Sequence, residues 1–300
     1  MEEKTLRDWY HEFRSWQERP YEVAPLSGDE HVCCTCQTHF QGNYCPRCGQ
    51  SARISRYSFK TALLNFFDVW GLGNRSMFRT IRDLILRPGY MIRDYLRGMQ
   101  MAYFPPFKLL FLLTALTLLV SSGFNIKGEN RFERANEIME NAVAEQPGGY
   151  EGEEVTPEML EADKKIQDAM GTYMRGYLET VQRFPNVMEL VGLVLLSGLL
   201  YLFFYHSPNI HFRYSEFLVS LVYINNMLTI FGIVLSFFCV PDMLQLLPML
   251  LIFVPLKQLS GYGWFSTIWR VLLPAVIITV VVSLAFAVFI FKVLAESGAV

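Results

Sequence analysis

Four cysteines near the amino end, Cys33, Cys36, Cys45 and Cys48 in the stretch CCTCQTHFQGNYCPRCGQ, have the type and spacing for metal chemistry. They form two C-x-x-C pairs eight residues apart, and each pair fits a tight turn that presents two thiolates to one ion. Pro46 and Gly49 suit such a turn. Four thiolates close a tetrahedron and leave no position for water or substrate, so the expected role is structural. Zn2+ is the expected ion, with iron the alternative that thiolate geometry leaves open. Cys34 and His39 are bystanders unless the register shifts to include one of them. Metal binding contributes about 10 to 16 kcal/mol in small zinc peptides, enough to fold a segment with almost no apolar core.

A second set of polar residues lies within or at the ends of apolar stretches: Glu189, Glu216, Asn225, Asn226 and Thr229. Ionisable groups at membrane depth are functional candidates by default, and these form a candidate intramembrane polar site. Plain interfacial exposure would also account for the two glutamates, and interhelical hydrogen bonding for the two asparagines. His206 and His211, five apart beside Glu216, offer a second metal site or an acid-base pair only if the chain brings them together. No G-x-S-x-G, H-E-x-x-H or P-loop occurs, and GLGNRS lacks the strand-turn-helix setting for phosphate. An enzyme is therefore not the expected class.

Composition says what must hold these residues. The chain has 300 residues, 52% hydrophobic and only 18% charged, where a soluble domain carries about a quarter charged. The excess is concentrated in five stretches, roughly 105 to 124, 187 to 205, 216 to 239, 243 to 259 and 271 to 291. A bilayer core about 30 Å thick needs roughly 20 apolar residues in a helix. The third and fifth stretches reach that length unaided, and the first does with its lead-in from Tyr103. The second carries Glu189 and the fourth is short, with Gln245, Pro248 and Pro255, so an interfacial position for either is the alternative, which leaves four spans instead of five. VLLPAVIITVVVSLAFAVFIF has no polar face, which excludes an ordinary amphipathic core helix. The first residues, MEEKTLRDWYHEFRSWQ, lack the apolar run of a cleavable signal peptide.

Charge sets the orientation. From Arg53 to Lys108 there are ten Lys or Arg against three Asp, whereas Asn125 to Asn186 has thirteen acids against seven bases. Basic residues stay in the cytoplasm, so the amino terminus is expected there and the acidic loop outside. Arg213, Lys257 and Arg270 then fall in cytoplasmic connections. Cytoplasmic thiols stay reduced, which favours a metal over disulfides.

The expected organisation is an amphipathic helix and linker over 1 to 30, a ribbon over 31 to 52 and basic amphipathic interfacial helices over 53 to 104. The first span follows over 105 to 124, an acidic helical loop over 125 to 186, and spans two to five over 187 to 300. Leu6, Trp9, Tyr10, Phe13 and Trp16 give the first helix an aromatic face that suits protein or lipid. Arg75, Arg79 and Arg82 interleave with Met77, Phe78, Ile81, Leu84 and Ile85, a pattern for contact with an anionic leaflet or for a solvated face on a helix packed against the spans. In the acidic loop, Ile166, Met170, Tyr173, Tyr177 and Val181 recur at helical spacing, and GGYEGEEVTP is a break.

C-x-x-C, then NYCPRCGQ, then FRTIRDLILRPGYMIRDYLRGMQMAYFPPFKLL followed by several spans, resembles the bacterial membrane proteins grouped as domain-of-unknown-function family 3667. Where that family usually has Gly-Lys-Arg before Tyr and Pro, this chain has Gly98, Met99 and Gln100. The resemblance implies a multi-pass protein of the bacterial cytoplasmic membrane and no assigned activity. The expected fold is mainly α: a polytopic helical bundle with a small zinc ribbon. The expected function is a non-enzymatic scaffold or assembly factor whose head recruits a protein partner, with a small-molecule or lipid transporter as the alternative. QTHFQGNY carries no basic stripe, so nucleic acid is not an expected partner.

Overall fold

In a computed structural model of the chain, the described residues are 5–22, 25–52, 75–144, 164–165, 171–173, 175–176, 179–181, 183–241 and 243–297. Residues 53 to 74 of the stretch expected to form interfacial helices, GGYEGEEVTP, Ile166, Met170 and Tyr177 lie outside them.

The head begins with α1 (Leu6–Glu18), started by a capping box in which the Thr5 and Asp8 side chains satisfy each other's backbone N–H. Strands β1 (Glu30–Val32) and β2 (His39–Gln41) pair antiparallel, His31 opposite Phe40. Then α2 (Arg75–Leu86) and α3 (Pro88–Leu96) meet at Arg87, whose φ of −146° and ψ of 54° follow from the proline after it, since a residue before proline is driven out of the helical region.

Four helices are long and apolar enough to cross a membrane: Gln100–Ser121, Pro185–Phe204, Tyr214–Phe237 and Trp264–Phe289. The first contains α4 (Pro106–Ser121) after a short 3-10 turn. A further helix, α5 (Arg131–Ala144), precedes α6 (Pro185–Phe204) and α7 (Tyr214–Phe237). Pro106 and Pro185 each sit at the first helical position, where the missing N–H costs nothing.

The fourth apolar stretch is not a plain α-helix. It forms a 3-10 segment, Leu244–Ile252, running into α8 (Phe253–Ser260), with Gly261 at φ 80° ending the run. Pro248 and Pro255, each without an N–H to donate, lie within it. At one end Gln245 bonds Val240 and Ser236, just around the end of α7. At the other, the Asn209 N–H donates to Ser260 O and the Tyr262 hydroxyl to His206 O, in the connection before α7 begins. Rises of about 2.0 and 1.5 Å per residue give the segment roughly 30 Å, so it runs from one end of the bundle to the other with fewer residues than a spanning α-helix uses.

Directions alternate. Asn226 bonds Pro106 O at the start of α4, and Ile126 N–H bonds Phe237 O past its end, so α4 and α7 run the same way. Glu189 meets Asn225 and Ser197 meets Tyr214, so α6 runs against them. Arg270, on α9 (Trp264–Ser297), bonds Phe203 O at the end of α6. The main core gathers Met77 and Leu84 of α2, Met91 and Ile92 of α3, Leu109, Phe204, Phe217, Leu221, Tyr223 and Leu256. The α2–α3 pair is therefore packed into the bundle along its apolar stripe. Gly89 marks the closest approach: a Cβ there would lie 2.4 Å from Gln258 Cβ and 2.7 Å from Pro255 O.

Candidate metal centre and the clamp that tethers it

The two knuckles repeat one backbone pattern twelve residues apart. Gln37 N–H donates to Cys33 O (2.9 Å) and Cys33 N–H to Thr38 O (3.0 Å); Gly49 N–H donates to Cys45 O (2.9 Å) and Cys45 N–H to Gln50 O (2.8 Å). The residue after each second cysteine turns left-handed, Gly49 at φ 75° and Gln37 at φ 58°. Glycine takes that conformation freely and glutamine does not, so the second knuckle is the less strained.

These turns bring the four sulfurs within 4.8 Å of one another. Cys33 and Cys48 are 3.4 Å apart, Cys36 and Cys45 3.5 Å, Cys36 and Cys48 3.6 Å. All four thiols are free, and the spacing is far beyond a disulfide bond of about 2.05 Å. It is close to the edge of roughly 3.8 Å that a tetrahedron with metal–sulfur bonds of about 2.3 Å requires. Cys33 and Cys45 are buried with Phe40 while Cys48 is exposed. Cys34 is exposed and stands outside the quartet, and His39 lies in β2.

The thiols ionise unequally without an ion. The Thr38 hydroxyl and backbone N–H push Cys36 down to about 6, and the Cys36 N–H lowers Cys33. Cys48 accepts the Gln50 N–H, which favours its thiolate, but the surrounding Cys33, Cys36 and Cys45 push it up to about 12. Four like charges at this spacing need a cation to coexist.

A second centre is built on Arg87. This side chain is 3% exposed, and each of its three guanidinium nitrogens faces a partner. Its Nε faces Asp83 (3.4 Å), one terminal nitrogen reaches Asp94 and the Tyr103 hydroxyl (3.0 Å), and the other reaches the carbonyls of Gln17 (2.9 Å) and Arg19. Arg93 adds a bond to Glu18 O (3.2 Å). The last carbonyls of a helix have no partner within it and carry partial negative charge. Two arginines of the bundle thus cap α1 from outside, and the Gln17 amide answers by donating to Leu86 O (2.6 Å). Burial disfavours the Arg87 charge, but Tyr103, Asp94 and Asp83 outweigh it and hold the guanidinium more basic than usual. The only trace of this centre in the sequence is the symmetry of RDLILRPGYMIRDY, an Arg-Asp pair on either side of Arg87-Pro88.

The residues expected to contact lipid have protein partners. Arg79 donates to Ala102 O (3.0 Å) and stacks over Tyr21, and Arg82, 56% exposed, donates to Asp83 (2.8 Å). The Arg75 side chain lies outside the described atoms. The intramembrane set divides. Asn225 and Thr114 both bond Glu189, each at 2.6 Å, joining α4, α6 and α7. Asn226 turns the other way to Pro106 O (3.0 Å), and its Oδ1 is buried without a partner among the described residues. Thr229 bonds back to Asn225 O (2.9 Å). Glu216 accepts the Arg213 N–H (2.9 Å) at the start of α7 and neither imidazole, although the rings of His206 and His211 stand 5.7 Å apart.

No curated protein and no solved structure matches the chain. Residues 75–118, which hold Asp83, Arg87, Asp94 and Tyr103, match the family model described as protein of unknown function DUF3667.

Proposed function

We propose that the protein is a non-enzymatic scaffold or assembly factor of a bacterial cytoplasmic membrane, in which a structural zinc ribbon is held beside a helical bundle and recruits a protein partner. The observation that carries the reading is the closed quartet of Cys33, Cys36, Cys45 and Cys48. Four cysteine ligands leave zinc no site for substrate, so the ion orders a surface and does no chemistry. The Arg87 clamp supports the same reading, because a head capped from the bundle is presented in a fixed place. The bundle-long course of Leu244–Ser260 supports five spans over four; with the amino terminus cytoplasmic, as the charge asymmetry of the sequence proposes, five spans put the carboxyl terminus outside. Partner capture by the head is tested by elemental mass spectrometry and co-purification on detergent-purified protein, with and without Cys45→Ser. About one zinc per chain, lost in the variant together with the same co-purifying proteins, is the expected result. Zinc lost with partners unchanged would reduce the ribbon to a folding device, and absence of zinc from the wild type would overturn the reading.

The alternative, a small-molecule or lipid transporter, has one observation in its favour, the Glu189–Asn225 contact beside a cavity. That cavity is lined by Thr114, Met188 and Glu189, among others, and by neither Asn225 nor Asn226.

A further inference from the structure

Glu189 is a carboxylate on an apolar helix, and its partners among the described residues, the Asn225 amide and the Thr114 hydroxyl, are both neutral. A half-buried carboxylate on an apolar helix, held only by neutral donors, lacks the counter-charge that such groups ordinarily find. Beside it lies a cavity of about 380 Å³, within the range of small-molecule sites. Its walls are apolar, chiefly Leu118, Phe132, Val181, Pro185 and Met188. The hydroxyls that reach it add no cation: Thr117 spends its proton on Leu113 O (2.9 Å), which leaves its oxygen free to accept. Arg131 is directed at Ser236 (3.0 Å) and Gln245 (2.7 Å), and Arg183 lies over the Phe184 ring. Among the described residues that line it, the cavity thus offers one negative charge, hydrogen-bond acceptors and a hydrocarbon wall.

We propose that this cleft between α4 and α6 binds a primary alkylammonium, with the N–H donors on Glu189 and Thr117 and the hydrocarbon body along Leu118, Phe132 and Met188. An anionic or purely apolar ligand would leave the carboxylate without a counter-ion; an ammonium on an alkyl chain satisfies both parts of the cavity. The chemistry is shared by a free hydrophobic amine and by the ethanolamine head of a phospholipid.

The test is calorimetric titration of the full-length, detergent-purified protein with n-hexylammonium, with n-hexanol as the uncharged control of the same shape. Saturable binding of the amine, at least about tenfold tighter than the alcohol, and its weakening by at least about tenfold in Glu189→Gln, are expected. Leu118→Trp, which fills the cleft and leaves Glu189 in place, should abolish binding and decides the matter if Glu189→Gln fails to fold. Equal binding of amine and alcohol, or unchanged binding in Leu118→Trp, would overturn the proposal. Repeating the titration in phosphatidylcholine nanodiscs with and without phosphatidylethanolamine separates the sources: competition by the ethanolamine lipid identifies the headgroup, and its absence with binding retained identifies the free amine.

Discussion

The ribbon and the Arg87 clamp are both polar centres that hold chain segments together, yet they are built in opposite ways. All four thiols come from sixteen consecutive residues and two copies of one turn, so local chain geometry nearly suffices to assemble the site. The clamp draws on α1, α2, α3 and the turn before α4, from Gln17 to Tyr103, and exists only once those elements have docked. A local centre fails alone. A dispersed one, when it fails, releases whatever it was holding.

The largest effect separates the two outright. Removing one thiolate by Cys45→Ser forfeits most of a metal-binding free energy of about 10 to 16 kcal/mol, so the ribbon should unfold. Limited proteolysis should then cut within 30 to 52 while the bundle's thermal midpoint stays unchanged; a falling midpoint would mean the two regions are not independent.

Next comes Arg87→Met. Breaking a buried charge cluster by removing one partner costs about 3 to 5 kcal/mol, because Asp83 and Asp94 stay buried without their cation. Amide exchange at residues 6 to 19 should rise steeply with metal content unaltered. Protection that persists in α1 would show that its aromatic face, and not the clamp, holds it.

Gly89→Ala tests the packing that places the clamp. The added methyl overlaps Gln258 and the Pro255 carbonyl, and overpacking of this kind costs about 1 to 3 kcal/mol. The bundle's midpoint should fall without loss of metal. The smallest effect is a gain: Gln37→Gly relieves a left-handed glutamine and should strengthen the ribbon by about 0.5 to 1 kcal/mol, measured as resistance to a competing chelator. An unchanged or weaker ribbon would mean that the two knuckles, alike in their hydrogen bonds, are not alike in strain.

The same contrast explains how much could be read without coordinates. The thiolate quartet was legible residue by residue, since two C-x-x-C turns allow little else, whereas the strain at Gln37 was hidden because glutamine does not advertise a left-handed turn. The four long apolar helices were legible from hydropathy. The fourth stretch was ambiguous because seventeen residues are too few for a spanning α-helix, and the 3-10 geometry that stretches them was invisible to a residue count. Arg79 and Arg82 left two readings open, contact with an anionic leaflet or a solvated face on a packed helix, because an arginine on an amphipathic helix looks the same in sequence whichever partner it meets.

By itself the sequence determined the chemistry that depends on neighbours in the chain: which four thiols come together and which segments are apolar enough to cross a bilayer. Only the tertiary structure decided that Arg87 caps α1, that Glu189 meets Asn225 but not Asn226, and that Leu244–Ser260 runs the length of the bundle. The reason is physical. Propensity and hydropathy act over a few residues, while a buried charge takes its partners from whichever elements the packing of the core brings within reach.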